Sequence, residues 1–127
     1  MDRGKNVSDA LAVLQDAVER IRRIEAEARE SLYIRDDLAA HRRKLLEKTL
    51  LLMELPDLAE PFFEGMEKSI RAEIHAGLKL FARRASQALE LSSIFYMSAL
   101  LYPEDYREGD RNDLELFVDR LRVKLLS

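Results

Sequence analysis

Apolar residues recur at steps of three and four along most of the chain, and this spacing constrains the fold more than any other feature. In an α-helix such residues lie on one face, so the pattern is typical of amphipathic helices. One stripe runs from Leu11 to Ala28, and others follow within residues 63–99 and 114–125. The chain has only four glycines and three prolines, fewer than the turns of a β-sandwich or barrel need. We therefore predict an all-α protein.

Two breaks are predicted in the first half of the chain. The first periodic region covers about residues 7–54, and its stripe changes phase near Asp36. Unbroken, this helix would be roughly 70 Å long at ~1.5 Å per residue. Either the helix breaks near Asp36, with an aspartate as the new N-cap, or the protein is elongated. Pro56 is expected to stop this region, because its ring disfavours helical backbone. The spacing of Asp57 and Glu60 then predicts a capping box for the next helix.

The polar segment at residues 103–112 is the third predicted break and the clearest loop in the sequence. We expect one long helix between the second and third breaks, with Gly77 as a candidate bend. Asn112 and Glu115 have the spacing of a further capping box, which predicts the start of a final helix.

These elements predict a single domain over residues 1–127. Its expected architecture is an antiparallel bundle of three to four long amphipathic helices, with breaks near 36, 56–60 and 103–112. We expect dimerisation to complete this bundle, because two stretches carry excess apolar surface.

Two stretches carry more apolar surface than one helix face can bury. In residues 45–55 and 94–102 apolar side chains cover most of the helix circumference, and such a helix must be covered on all sides. One interpretation places both stretches in the monomer core. The other makes them an interface, either of a C2 homodimer or of a groove for a partner helix. The residues predicted for that interface are Leu50, Met53, Phe95, Met97 and Leu101.

Composition argues against several classes of function. The net charge of −3 is mild and mixed along the chain, which argues against an electrostatic nucleic-acid binder. The absence of cysteine excludes disulfides, thiolate zinc sites, iron–sulfur clusters and cysteine nucleophiles. The polar first residues predict no signal peptide, and the longest apolar run is too short to span a bilayer. We expect a cytoplasmic protein without a metal or cofactor.

The two histidines suggest different roles. His75 lies on a predicted helix with Lys79 one turn later, and this resembles the general arrangement of histidine phosphotransfer domains, although the usual spacing to lysine and glycine is missing. His41 has nearly the phase of Leu38 and Leu45, so we expect it to be a hydrogen-bonded packing residue at the edge of the core.

Several basic groups are candidates for nucleic-acid contact, although acids lie between them. They are Arg22–Arg23, Arg42–Arg43–Lys44, Arg83–Arg84, and Arg120 with Arg122 and Lys124.

Our leading hypothesis is a non-enzymatic protein that acts by protein–protein contact, as an adaptor, chaperone or regulatory subunit, and forms a homodimer. The alternatives are a phosphotransfer protein that uses His75 and a nucleic-acid accessory protein that uses these arginines.

Overall fold

A computed structural model describes residues 3–126, with side chains from residue 7 onward. Over this range the chain forms helices and no strand, which confirms the predicted all-α class. The elements in chain order are α1 (Arg3–Tyr33), α2 (Leu38–Ala59), a 3-10 turn (Glu60–Phe63), α3 (Lys68–Glu90), α4 (Ile94–Ala99) and α5 (Asp113–Leu126). Among these described helices, none has the length and apolar content needed to cross a membrane.

A tight turn at Asp36 and Asp37 separates α1 from α2, which confirms the break predicted there. Asp36 has a φ of 52°, a left-handed conformation that aspartate tolerates better than most residues. Asp37 is the N-cap of α2, and its carboxylate accepts a hydrogen bond from the Ala40 backbone N at 3.0 Å. The first periodic region is therefore two helices that pack against each other, not one extended rod.

The second break, predicted near 56–60, is confirmed, because α2 ends at Ala59, but the stop predicted at Pro56 and the capping box predicted at Asp57 and Glu60 are wrong. Helix α2 continues through Pro56 and ends at Ala59. An internal proline costs about 3 kcal/mol. Here, however, Leu55, Pro56 and Ala59 are all buried, and burial of such side chains contributes a free energy of similar size, about 1.5–3 kcal/mol for a leucine. Tertiary packing thus outweighs the local preference of proline.

The single helix predicted between the second and third breaks is interrupted. Helix α3 ends at Glu90, and Ser92 has a left-handed φ of 49°. Ser93 then caps α4, because its Oγ accepts a hydrogen bond from the Tyr96 backbone N at 3.1 Å. Serine side chains that bond to nearby backbone compete with helix in this way. Gly77, the candidate bend, lies within α3, which runs past it without interruption.

The long helices α1, α2 and α3 pack as an antiparallel-like bundle. Helix α1 packs along α2, α2 packs along α3, and α5 lies on α1. The main core cluster draws side chains from all four of these helices, among them Leu14, Ile21, Leu52, Ile74, Leu78 and Val118. Backbone contact between α3 and α5 is slight by comparison. The bundle is therefore open along the side between these two helices.

Candidate functional site

Helix α5 begins with the predicted capping box, which is confirmed. Asn112 Oδ1 accepts a hydrogen bond from the Glu115 backbone N at 2.9 Å, and Glu115 Oε1 accepts one from the Asn112 backbone N at 2.9 Å. This exchange satisfies two backbone donors that the start of a helix leaves without an intrahelical partner. Both residues are buried, so the cap also fixes a carboxylate in the interior.

That carboxylate joins α5 to α1. Arg22 of α1 donates to Glu115 Oε1 at 2.6 Å, and Arg111 donates to Oε2 at 3.1 Å. Burial by itself would raise the pKa of Glu115. The hydrogen bonds from Asn112 and Arg22, with the charges of the two arginines, outweigh burial and hold this pKa below its ordinary value. Glu115 therefore remains ionised in the folded protein at neutral pH.

Tyr102 links Arg22 to a second buried carboxylate. The phenol donates to Glu25 Oε1 at 2.6 Å and accepts a hydrogen bond from Arg22 Nη1 at 2.9 Å. Burial raises the pKa of Tyr102 well above its ordinary value, and the hydrogen bond and charge of Glu25 raise it further. The hydroxyl thus stays protonated and bridges α1 to the segment that follows α4.

Lys48 is a fully buried side chain of α2. Its ammonium lies 3.0 Å from Glu25 Oε2. It also donates to the carbonyl oxygens of Ser98 and Leu100, at 3.2 and 3.0 Å. Burial lowers the pKa of Lys48, and the charge and hydrogen bond of Glu25 oppose this shift without cancelling it. A lysine ammonium has three donors and all three are used here, so Lys48 acts as a cross-link and offers no free amine for nucleophilic chemistry.

We call this connected group the polar cluster, and its members are Arg22, Glu25, Lys48, Tyr102, Arg111, Asn112 and Glu115. Within the described residues, every fully buried side-chain nitrogen and oxygen has a hydrogen-bond partner. The cluster holds residues 100–112 against α1 and α2. In this segment Leu101 has a left-handed φ of 78°, a conformation that costs about 1–3 kcal/mol outside glycine. The Asp113 backbone N donates to Leu101 O at 2.9 Å and supports this strained turn.

Sequence reasoning found only the Asn112–Glu115 part of the polar cluster. Glu25 has the i,i+4 spacing to Arg29 of an exposed helix pair, so its spacing points to the surface. Lys48 carried a usable signal, because it is a charge inside an otherwise strongly apolar stretch. A charge in such a position is buried only with partners.

A groove of about 1180 Å³ lies beside the polar cluster, between α1, α2, α4 and the segment before α5. Glu25 and Lys48 line it together with the aromatic side chains of Tyr33 and Phe95. Since the buried charges are already bonded to one another, they hold the helices in place here and are not available to a ligand.

The five residues predicted for an interface do not form one surface. Met97 and Leu101 are buried within the single chain, and their predicted role in an interface stays a prediction. Phe95 is 74% exposed on α4, Leu50 is 40% exposed on α2, and Met53 is partly buried on the same helix. In residues 45–55 the side chains of Leu45, Leu51, Leu52 and Leu55 are buried, whereas in residues 94–102 only Met97 and Leu101 are buried. Partner contact by Leu50, Met53 and Phe95 stays a prediction.

A second groove, of about 1000 Å³, lies between α3, α4 and α5. We call it the α3–α5 groove. Its apolar lining includes Leu80 of α3, Leu91 at the C-cap of α3, Tyr96 of α4 and Leu116 of α5, with exposures between 40% and 65%. These large apolar side chains surround one concave surface, whereas single exposed apolar residues are ordinary on any protein.

Phe117 shapes the groove where α3 and α5 come closest. Its ring packs edge-on against Phe81, with ring centroids 5.6 Å apart and planes at 83°. The ring also fills the space beside Gly77, where an added Cβ would overlap it. Gly77 therefore permits a close approach of a side chain to α3. Glu73 and Lys124 form an ion pair that joins the same two helices further along.

The groove also carries uncompensated positive charge. Arg84 of α3 and Arg120 of α5 line it, and neither makes an ion pair with any other described residue. The Glu73 carboxylate already forms an ion pair with Lys124. Asp113 lies in the first turn of α5, where the positive end of the helix dipole stabilises a carboxylate. The walls thus present two available guanidinium groups beside an apolar surface.

The two histidines lie on different helices, His41 on α2 and His75 on α3. His41 Nδ1 lies 2.9 Å from Ala28 O, which confirms a packing role between α1 and α2. His75 is half-buried on α3, Lys79 is exposed, and no hydrogen bond joins His75 to another described side chain. The phosphotransfer and nucleic-acid hypotheses stay predictions. Among the described residues, no group of three histidines, aspartates or glutamates is placed to hold a metal ion.

No protein-family model matches the chain, and comparison with curated proteins and with solved structures also gives no match. The class that the fold itself defines is an all-α, antiparallel-like helical bundle.

Proposed function

We propose that this protein is a non-enzymatic interaction module that binds an amphipathic helix of a partner protein in the α3–α5 groove. The observation that carries the proposal is the exposure of Leu80, Leu91 and Leu116 around one concave surface. This mode of action is shared by adaptors, chaperones and regulatory subunits.

The helical spacing of the groove suits a helix as the occupant. Leu80, Arg84 and Gln87 of α3 and its C-cap residue Leu91 follow one another at steps of four, three and four, so they form a line on one face. Leu116 and Arg120 form the matching line on α5, one turn apart. A partner helix between these lines would bury an apolar stripe with i, i+3, i+4 and i+7 anchors. It would also close the open side of the bundle.

The positive charge of the groove walls determines which kind of amphipathic helix would bind. Arg84 and Arg120 lie on opposite walls and have no carboxylate partner in the described chain. A partner with glutamates or aspartates beside its apolar stripe would form charge-assisted hydrogen bonds to both, whereas lysines in those positions would be repelled. We therefore assign the groove an acidic amphipathic helix.

The test uses a short synthetic helical peptide with leucines at i, i+3, i+4 and i+7 and glutamates beside the stripe. Fluorescence anisotropy should show saturable binding, with amide NMR shifts concentrated around Leu80, Leu91 and Leu116. A peptide with lysines in place of the glutamates should bind at least about tenfold more weakly, since like charges meet across the contact.

A matched pair of variants locates the contact. Leu116→Lys places a charge in the groove and should abolish binding. Val123→Lys changes an exposed residue of the same helix outside the groove lining and should leave binding intact. Absence of saturable binding, or equal binding by the two variants, contradicts the proposal.

A further inference from the structure

The outer face of α2 carries a second uncovered stripe. Helices α1 and α3 pack on the opposite side of α2, which holds its buried leucines. The stripe advances at alternating steps of four and three, the spacing of a seam between two packed helices. We call it the α2 seam, and its residues are Ala39, Arg43, Leu46, Leu50, Met53 and Asp57. All are exposed except Met53, which is half-buried.

The α2 seam is symmetric about the level of residue 48. If two copies of α2 lie antiparallel with a two-fold axis at that level, Leu46 of each copy lies opposite Leu50 of the other. Ala39 then lies opposite Asp57 by the same operation. A surface that pairs with itself in this way is what an isologous C2 dimer requires.

The charged residues beside the seam follow the same two-fold symmetry, because basic residues in one half of the helix correspond to acidic residues in the other half. The N-terminal half of the exposed face carries Arg42 and Arg43, and the C-terminal half carries Glu54 and Asp57. No ion pair engages any of the four within the described chain. At 100° per residue, Arg43 and Glu54 lie on the same edge of the face, so antiparallel pairing brings Arg43 of each copy beside Glu54 of the other. Parallel pairing would instead bring like charges together.

We propose that the protein forms an antiparallel homodimer through the α2 seam. The apolar centre of the contact is formed by Leu46 and Leu50, which are 38% and 40% exposed in the single chain. This contact covers the exposed remainder of the apolar stretch at residues 45–55. The residues that line the α3–α5 groove come from α3, α4, α5 and the neighbouring loops, and none of them belongs to the α2 seam. The two surfaces are therefore separate.

Sedimentation equilibrium of the full chain tests the dimer. The wild type should pass from monomer to dimer as concentration rises, and Leu50→Glu should remain monomeric. Arg43→Glu and Glu54→Arg each place like charges together, so each should weaken the dimer by roughly tenfold or more. Arg83→Glu, on the exposed surface of α3, is the matched control and should dimerise like the wild type.

A mixing experiment tests the antiparallel register. When the Arg43→Glu and Glu54→Arg variants are combined, opposite charges meet at both ends of the pair, so a heterodimer should form although each variant alone dimerises poorly. A wild type that stays monomeric, or a mixture that does not dimerise better than its components, overturns the proposal. Leu116→Lys should still dimerise, because Leu116 is not part of the α2 seam. The seam and the groove have no residue in common, so a wild type that stays monomeric would not contradict the groove proposal.

Discussion

The two faces of α5 are held in contrasting ways. Towards α1, Glu115 is bound by Arg22 and by the capping residue Asn112, and every donor of the neighbouring Lys48 is used. Towards α3, the main packing contact is the Phe117 ring, and apolar side chains around it remain exposed. Because hydrogen bonds and ion pairs are directional, the first face fixes the position of α5. The second face can then stay open for a ligand.

The largest expected effect comes from breaking the polar cluster at Lys48. Lys48→Met removes the closer cation of the buried Glu25 carboxylate, leaving Arg22 at 3.9 Å, and removes the donor to Ser98 and Leu100. Removing one partner of a buried pair costs about 3–5 kcal/mol of the free energy of unfolding. Urea denaturation followed by circular dichroism measures this loss.

The double variant Lys48→Met/Glu25→Gln is the control, because it removes both charges. It should be more stable than Lys48→Met alone, since no unpaired carboxylate remains buried. If Lys48→Met is within about 0.5 kcal/mol of the wild type, as for an ordinary surface substitution, then the Lys48 contacts do not stabilise the fold.

An intermediate effect is expected at Glu115. Glu115→Gln keeps the shape but removes the charge that binds Arg22 and Arg111, and should cost about 1.5–3 kcal/mol at neutral pH. The pKa of Glu115 is lower in the folded chain than its ordinary value. Its contribution is therefore complete above the ordinary glutamate pKa and is lost as the pH falls through the lowered folded pKa.

Urea denaturation at neutral and at acidic pH separates this contribution from other carboxylates. The stability difference between wild type and Glu115→Gln should shrink as the pH falls through the lowered folded pKa of Glu115. A difference that is constant with pH would mean that the charge of Glu115 is not the stabilising feature.

The smallest effect on stability is expected at Gly77, on the side of the bundle between α3 and α5. In Gly77→Ala the new Cβ overlaps the Phe117 ring, and such overpacking costs about 1–3 kcal/mol. Alanine favours the helix over glycine by about 1 kcal/mol, so the net loss should be about 1 kcal/mol. Because Phe117 lines the groove, displacing its ring should change the groove, and we expect the glutamate-flanked peptide to bind more weakly. Unchanged peptide affinity would show that Phe117 does not shape the groove.

Interactions within a few residues were predictable from the sequence. The three- and four-residue spacing predicted the helices, Asp36 and Asp37 marked the first turn, and the spacing of Asn112 and Glu115 predicted the start of α5. Each depends on backbone geometry and on side chains that reach only their own helical turn. The wrong prediction at Pro56 arose where burial outweighed a local preference. The interruption before Pro103 is itself local, because Ser93 caps α4, and the apolar spacing of this region did not reveal it.

The sequence alone thus determined that this chain is helical and where several of its helices begin. Only the tertiary structure decided the α3–α5 groove and the contacts of the polar cluster between different helices. Glu25, Lys48 and Glu115 lie on three different helices, and a buried lysine is stable only where folding supplies a carboxylate and carbonyl oxygens around it. Likewise, Leu116 becomes part of a groove only because Phe117 and Gly77 set the distance between α3 and α5.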